Sequence, residues 1–220
     1  MDYRKKHSLN KKIFAIVGLF IPLYTLTFSY KGPYGDLIIV TFSQIGARYG
    51  AIEQLIVWGI MTAIYYFSFL SYLFAMTGRN SLTLKALLSI TCMTLLITVF
   101  LPYAPTMFKI TSLVHNYLAY LTAASVVVLL LIFIIQLRKL DKKLFLKAMA
   151  AYLVSLGLVS YFLLYYGVSS LFQIVLSAVM CILLYTLLLF IESSKNIDFI
   201  ENLYKKTAGN IDDNINNDIF

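Results

Sequence analysis

Residues 125–143 read SVVVLLLIFIIQLRKLDKK. Val126 to Ile135 is an unbroken apolar run, and Arg138, Lys139, Lys142 and Lys143 follow within a few residues. With the less apolar stretch before it, the segment 113–137 is long enough to cross roughly 30 Å of hydrocarbon, which takes about 20 residues in a helix. Lipid offers the backbone no hydrogen bonds, so such a segment must satisfy its own amides and carbonyls as an α-helix. The basic residues at its end mark the face that stays in the cytoplasm.

The same pattern occurs five more times, over 13–30, 52–76, 84–102, 146–166 and 169–191. The expected fold is therefore all-α: a polytopic membrane protein forming a single bundle of six transmembrane helices over residues 1–191. A polar tail, 192–220, follows, read as part helical from Ile197 to Lys206 and then disordered, because it is rich in Asn and Asp. The composition agrees: 60% of the 220 residues are hydrophobic and only 13% are charged, against about half and about a quarter in soluble domains. Short links at 77–83, 138–145 and 167–168 predict antiparallel neighbours. The one sizeable loop is 35–50, with Leu37–Phe42 placed at the interface. Pro22 is expected to kink the first helix.

Direction follows from the cations. Fifteen of the 18 Lys and Arg residues fall in the N-terminal segment, the 77–85 and 137–147 links and the tail; Lys31, Arg48 and Lys109 fall on the other side. This bias predicts both termini in the cytoplasm (N-in/C-in) and a place in the cell membrane. It also disposes of a nucleic-acid partner, although the net charge is +8. The basic residues flank apolar runs and form no face with interleaved aromatics. The first apolar run, after Arg4, Lys5, Lys6, Lys11 and Lys12, is read as a retained helix, since Tyr30, Lys31 and Tyr34 follow it where a signal peptide would have small residues.

Polar groups at membrane depth are costly and therefore candidate functional groups. They gather at the outer end. Asp36, Ser43, Gln44 and Arg48 lie in the first outer loop, Glu53 and Gln54 begin the second span, and Lys109, His115 and Asn116 lead into the fourth. His115, Ala119, Thr122 and Ala123 share one helical face, small and polar, which turns His115 toward the bundle or its outer mouth. Glu53 or Gln44 is the expected partner of its ring. His115, Glu53, Ser43, Gln44, Asn116 and Trp58 are thus the candidate ligand-binding residues. Two readings stand side by side: a lipid headgroup, ligand or proton site, or an interfacial histidine bonded to water or a loop. For Trp58 a place in the aromatic belt competes with ligand stacking. Gln173, Ser177 and Cys181 form a second stripe, read as interhelical hydrogen bonding. Arg138, Lys139, Lys142, Lys143 and Lys147 are read as a topology determinant, with anionic headgroups as the alternative.

Several chemistries are excluded. HExxH, GxSxG, CxxC and GxxxxGK[ST] are absent from the sequence. Glu53 is the only acid within a proposed span, with Glu192 at the end of the last, and there are two histidines in all, so neither a carboxylate pair in the membrane nor a three-histidine metal site can form. No cofactor or metal is expected, and no catalytic residue is assigned. Cys92 and Cys181 read as small apolar side chains.

Ser43-Gln44-Ile45-Gly46-Ala47 with Leu55–Ile60, and Phe100-Leu101-Pro102 followed by His115, Asn116 and Ala119, resemble the "domain of unknown function 998" membrane family, over about residues 35–135. Its members carry a Ser-x-Leu-Gly motif before the second helix, a Phe-Pro-type turn after the third and a His-x-x-x-Ala motif opening the fourth. The DRAM-like six-helix proteins share the general plan. The resemblance implies six helices and draws attention to Ser43, Gly46, Pro102 and His115; it implies no reaction. Leu101 departs from the pattern by separating Phe100 from Pro102, and Tyr103 or Ala104 stands where an acid often follows the Pro.

The function expected from these residues is the binding or sensing of a lipid or small amphiphile at the outer mouth, with membrane lipids as partners. The alternative is a transporter or immunity-permease subunit, served by a separate ATPase through the segment 138–147. A membrane hydrolase with His115 as general base ranks third. The Lys-, Asn- and Ile-rich composition is compatible with a bacterial source.

Overall fold

The computed structural model describes residues 3–32 (side chains from His7 onward), 37–79 and 81–194. Asp36 and the helix expected at 197–206 lie outside these. Among the described residues there are seven helices and no strand: α1 (Tyr3–Ser29), α2 (Phe42–Arg48), α3 (Ile52–Met76), α4 (Leu82–Phe100), α5 (Lys109–Leu137), α6 (Lys142–Tyr166) and α7 (Ser170–Ser193). All but α2 are long and apolar enough to cross a membrane.

Local chemistry sets the boundaries. Ser81, Asp141 and Ser169 each accept a backbone N–H in the first turn of α4, α6 and α7. Gly78 (φ +63°) follows the end of α3, and Gly167 (φ +59°, ψ −160°) ends α6 in an extended positive-φ conformation open to glycine. Several limits differ from the sequence expectation: α1, α5 and α6 begin at Tyr3, Lys109 and Lys142, before the expected 13, 113 and 146. The 35–50 loop contains α2, because Thr41 and Gln44 form a reciprocal capping box. Helix α7 runs on through Glu192, so the polar tail begins two residues later than expected. Helix α1 continues unbroken through Pro22.

The long helices form a ring in chain order, from α1 through α3, α4, α5, α6 and α7 back to α1, and α3 also touches α7 across it. The start of α1 and the end of α7 meet at one end of the bundle, through His7, Lys11 and Glu192; α2 lies at the other. Close packing and interhelical hydrogen bonds hold the ring together. Packing is close where side chains are small: a Cβ on Gly59 would meet the Val99 side chain at 2.5 Å, and one on Gly18 would meet the Tyr65 hydroxyl at 2.5 Å. Phe69, Leu73, Leu129, Phe133, Leu184 and Leu188 occupy the main core. A second cluster, Phe28, Phe42, Ile45, Leu55 and Val99, sits beneath α2. Helix α6 is the least enclosed, burying only Leu144, Ala148 and Tyr152.

Candidate functional site

Of the polar residues picked out from the sequence, Ser43, His115 and Gln173 meet at the α2 end and fasten α2 to α5 and α7. The α5 face that carries His115, Thr122, Val126, Leu129 and Phe133 is buried. His115, 3% exposed, is held at both ring nitrogens. Its Nδ1 lies 3.2 Å from the Leu101 carbonyl oxygen and its Nε2 2.6 Å from Ser43 Oγ. A carbonyl only accepts, so Nδ1 carries the proton; in the neutral ring Nε2 then accepts from the Ser43 hydroxyl. The Tyr103 ring packs beside it at 5.3 Å.

The expected partners of His115 are therefore replaced. Glu53 is exposed in the first turn of α3, and Gln44 spends its side chain on the Thr41 amide, 2.9 Å away. Ser43, flagged separately, takes the ring instead because α2 turns it onto α5. Asn116 is partly buried beside His115. Trp58 donates to Thr25 Oγ1 at 3.1 Å and meets Phe42 edge-on, joining α3 to α1 and α2. From the second stripe, Gln173 Oε1 accepts the Phe42 amide at 2.9 Å and Ser177 lies 3.4 Å from Thr25 Oγ1. Ser170 and Leu171 donate to the Val40 and Leu37 carbonyls. Helix α2 lies across this end, stitched to α5 and α7.

A concavity lies at the side, between α1 and α3. A groove of about 420 Å³ is lined by Ile13, Phe14, Val17, Val57, Ile60, Ile64 and their neighbours, with Tyr65 and Ser68 the residues that bring a hydroxyl. Gly18 makes room for the Tyr65 ring, whose buried hydroxyl has only the Cys181 thiol, a weak partner, beside it. At the α2 end the seam closes where the Tyr24 hydroxyl donates to the Gln54 carbonyl at 3.1 Å. Glu53, Val57, Ile60, Ile64 and Ser68 follow at i, i+4, i+7, i+11 and i+15, so Glu53 continues the groove face of α3 by one turn.

At the opposite end, Glu192 accepts from Lys11 Nζ at 2.5 Å and meets His7 Nε2 at 2.8 Å, while His7 Nδ1 bonds the Tyr72 hydroxyl. This cluster joins α1, α3 and α7. The sequence reading put His7 in the basic N-terminal segment and missed it; the i, i+4 spacing of His7 and Lys11 on one helix face was the available signal. Among the described residues no group of three potential metal ligands occurs, and both cysteines are buried and free.

No family model, curated protein or solved structure matches this chain.

Proposed function

We propose that this chain is a multi-pass protein of the cell membrane, both termini cytoplasmic, that holds a lipid or single-chain amphiphile against its flank. The observation that carries this reading is the apolar groove between α1 and α3. Its α3 wall, Val57 to Ser68, spans about 16 Å at 1.5 Å per residue, close to the reach of a dodecyl chain. Small-molecule sites are concave, largely apolar and provided with few polar groups, and this groove has that character. The cation bias of the sequence puts Glu53 and the α2 end at the outer leaflet. Because α2 covers the mouth, the ligand enters sideways from the bilayer, which moves the site from His115 to the α1–α3 seam.

The test is native mass spectrometry of the protein released from its own membrane in mild detergent, beside Ile60→Trp and Ile64→Trp, which fill the groove. A defined amphiphile retained by wild type and lost from both variants supports the proposal. A bare chain in all three refutes it.

The permease alternative draws less support: Lys142–Lys147 belong to α6 itself, and only a short turn at 138–140 is left to meet an ATPase. The hydrolase reading gains a nucleophile, since Ser43 Oγ stands 2.6 Å from a base whose other nitrogen is oriented by a carbonyl. Labelling of Ser43 by a fluorophosphonate, abolished in His115→Ala, would establish that chemistry; an inert Ser43 leaves the pair as a brace.

A further inference from the structure

At the end of the bundle opposite α2, the α5–α6 link carries a dense group of cations. Arg138, Lys139, Lys142, Lys143 and Lys147 fall within ten residues, and all five are exposed. None makes an ion pair among the described residues. The one acid in this stretch, Asp141, spends Oδ1 on the Lys143 amide, 2.7 Å away, where it caps α6. The backbone that carries the cations is fixed: the amides of residues 138–141 bond carbonyls at the end of α5. Helix α4 packs along α5, so the α3–α4 link lies at the same end. It adds Arg79, partly buried, whose Nε has no acceptor. The α1–α7 seam differs, since Lys11 and His7 there are paired with Glu192.

Charge bias at a membrane face accounts for cations at this end. It does not account for the surface that continues from them. Lys143, Lys147, Val154, Leu158 and Tyr161 share one face of α6, the least enclosed helix, and the last three are exposed apolar side chains. Positive charge thus leads directly into an open apolar stripe. Resting on the membrane placement proposed above and not on the groove, we infer that this flank binds an anionic phospholipid. Its phosphate sits among the cations of the α5–α6 link and its acyl chains lie along the open face of α6. A phosphodiester carries a full negative charge and oxygens that accept from guanidinium and ammonium groups together. A zwitterionic lipid has the same phosphate but brings a cation of its own, which the unpaired lysines repel. A soluble anion would meet the lysines and leave the apolar stripe unused.

The experiment is competition on the purified full-length protein in a mild nonionic detergent, read by native mass spectrometry. The probes are equimolar phosphatidylglycerol and phosphatidylcholine with the same acyl chains. The expected result is phosphatidylglycerol retained about fivefold over phosphatidylcholine for each cation engaged. The preference should shrink as salt rises. Joint replacement Lys142→Gln, Lys143→Gln and Lys147→Gln removes it, whereas Lys12→Gln, exposed on α1 at the same end, leaves it. Equal retention of the two lipids by wild type overturns the inference. So does a preference lost as readily in Lys12→Gln as in the triple variant, which would reduce it to net charge. Displacement of phosphatidylglycerol by equimolar inorganic phosphate overturns the lipid assignment in favour of a free anion. The membrane placement is read separately, by labelling Lys143→Cys in intact cells with a membrane-impermeant maleimide, both native cysteines being buried. Labelling before permeabilisation overturns the cytoplasmic placement, while a phosphatidylglycerol preference measured in detergent still stands.

Discussion

Ser43→Ala isolates the contact that closes the α2 end. The substitution removes the hydroxyl 2.6 Å from His115 Nε2 and leaves α2 otherwise intact, since Thr41 and Gln44, not Ser43, cap it. The ring cannot turn to seek another donor without giving up the Leu101 carbonyl at its Nδ1, and at 3% exposure water does not reach it. A buried acceptor left in this state costs about 1–3 kcal/mol. For a chain of this size each kcal/mol is worth roughly 2–4 °C, so the unfolding midpoint should fall by about 2–12 °C. The assay is thermal unfolding in a single mild detergent, followed by the fluorescence of Trp58, the chain's one tryptophan, which touches Phe42 of α2. A double-mutant cycle with His115→Phe should give a coupling of about 1 kcal/mol, since residues in direct contact do not behave additively. Ser43→Ala with an unchanged midpoint, or additive single effects, would refute the brace and leave the close Ser–His pair in want of another role.

Gly18→Ala places a methyl where the Tyr65 hydroxyl sits and should destabilise by about 1–3 kcal/mol, with Tyr65→Phe restoring most of the loss; thermal unfolding of the single and double variants checks this. Tyr65→Phe alone should leave the midpoint nearly unchanged, because the buried hydroxyl it removes has only the Cys181 thiol, a weak partner, beside it. Gly59→Ala drives a Cβ into Val99 and should lower the midpoint by a similar amount, relieved by Val99→Ala. Glu192→Gln breaks the contacts with Lys11 and His7; as all three side chains are partly exposed, the loss should be about 1 kcal/mol and should shrink at high salt. Hydrogen exchange should then rise first at the start of α1.

How much of this was legible in the chain varies from residue to residue. His115 and Ser43 each stand out locally, one as a histidine at membrane depth and the other in a short motif before α3. Their pairing does not, because depth along a helix leaves rotation and neighbour unspecified, and Glu53 fits the same depth argument. The cap of α2 was present in Thr41 and Gln44 but was masked by the glycines and the arginine around it. Gln173 appeared as one member of a stripe, with no sign that it would accept the Phe42 amide from another element. The contact between His7 and Glu192 joins positions 185 residues apart and depends on α1 packing beside α7.

By itself the sequence determined that six long apolar helices form, roughly where each begins and ends, and that the chain is all-α. A long apolar segment has few side chains to pair its amides and carbonyls, so it satisfies them internally as a helix whatever its neighbours do. Only the tertiary structure decided that α1 closes the ring against α7, that α2 seals one end through Ser43 and His115, and that a groove opens between α1 and α3. The reason is that a helix face turned outward and one meeting another helix are both apolar here. Hydropathy cannot tell them apart; shape and a few interhelical hydrogen bonds do.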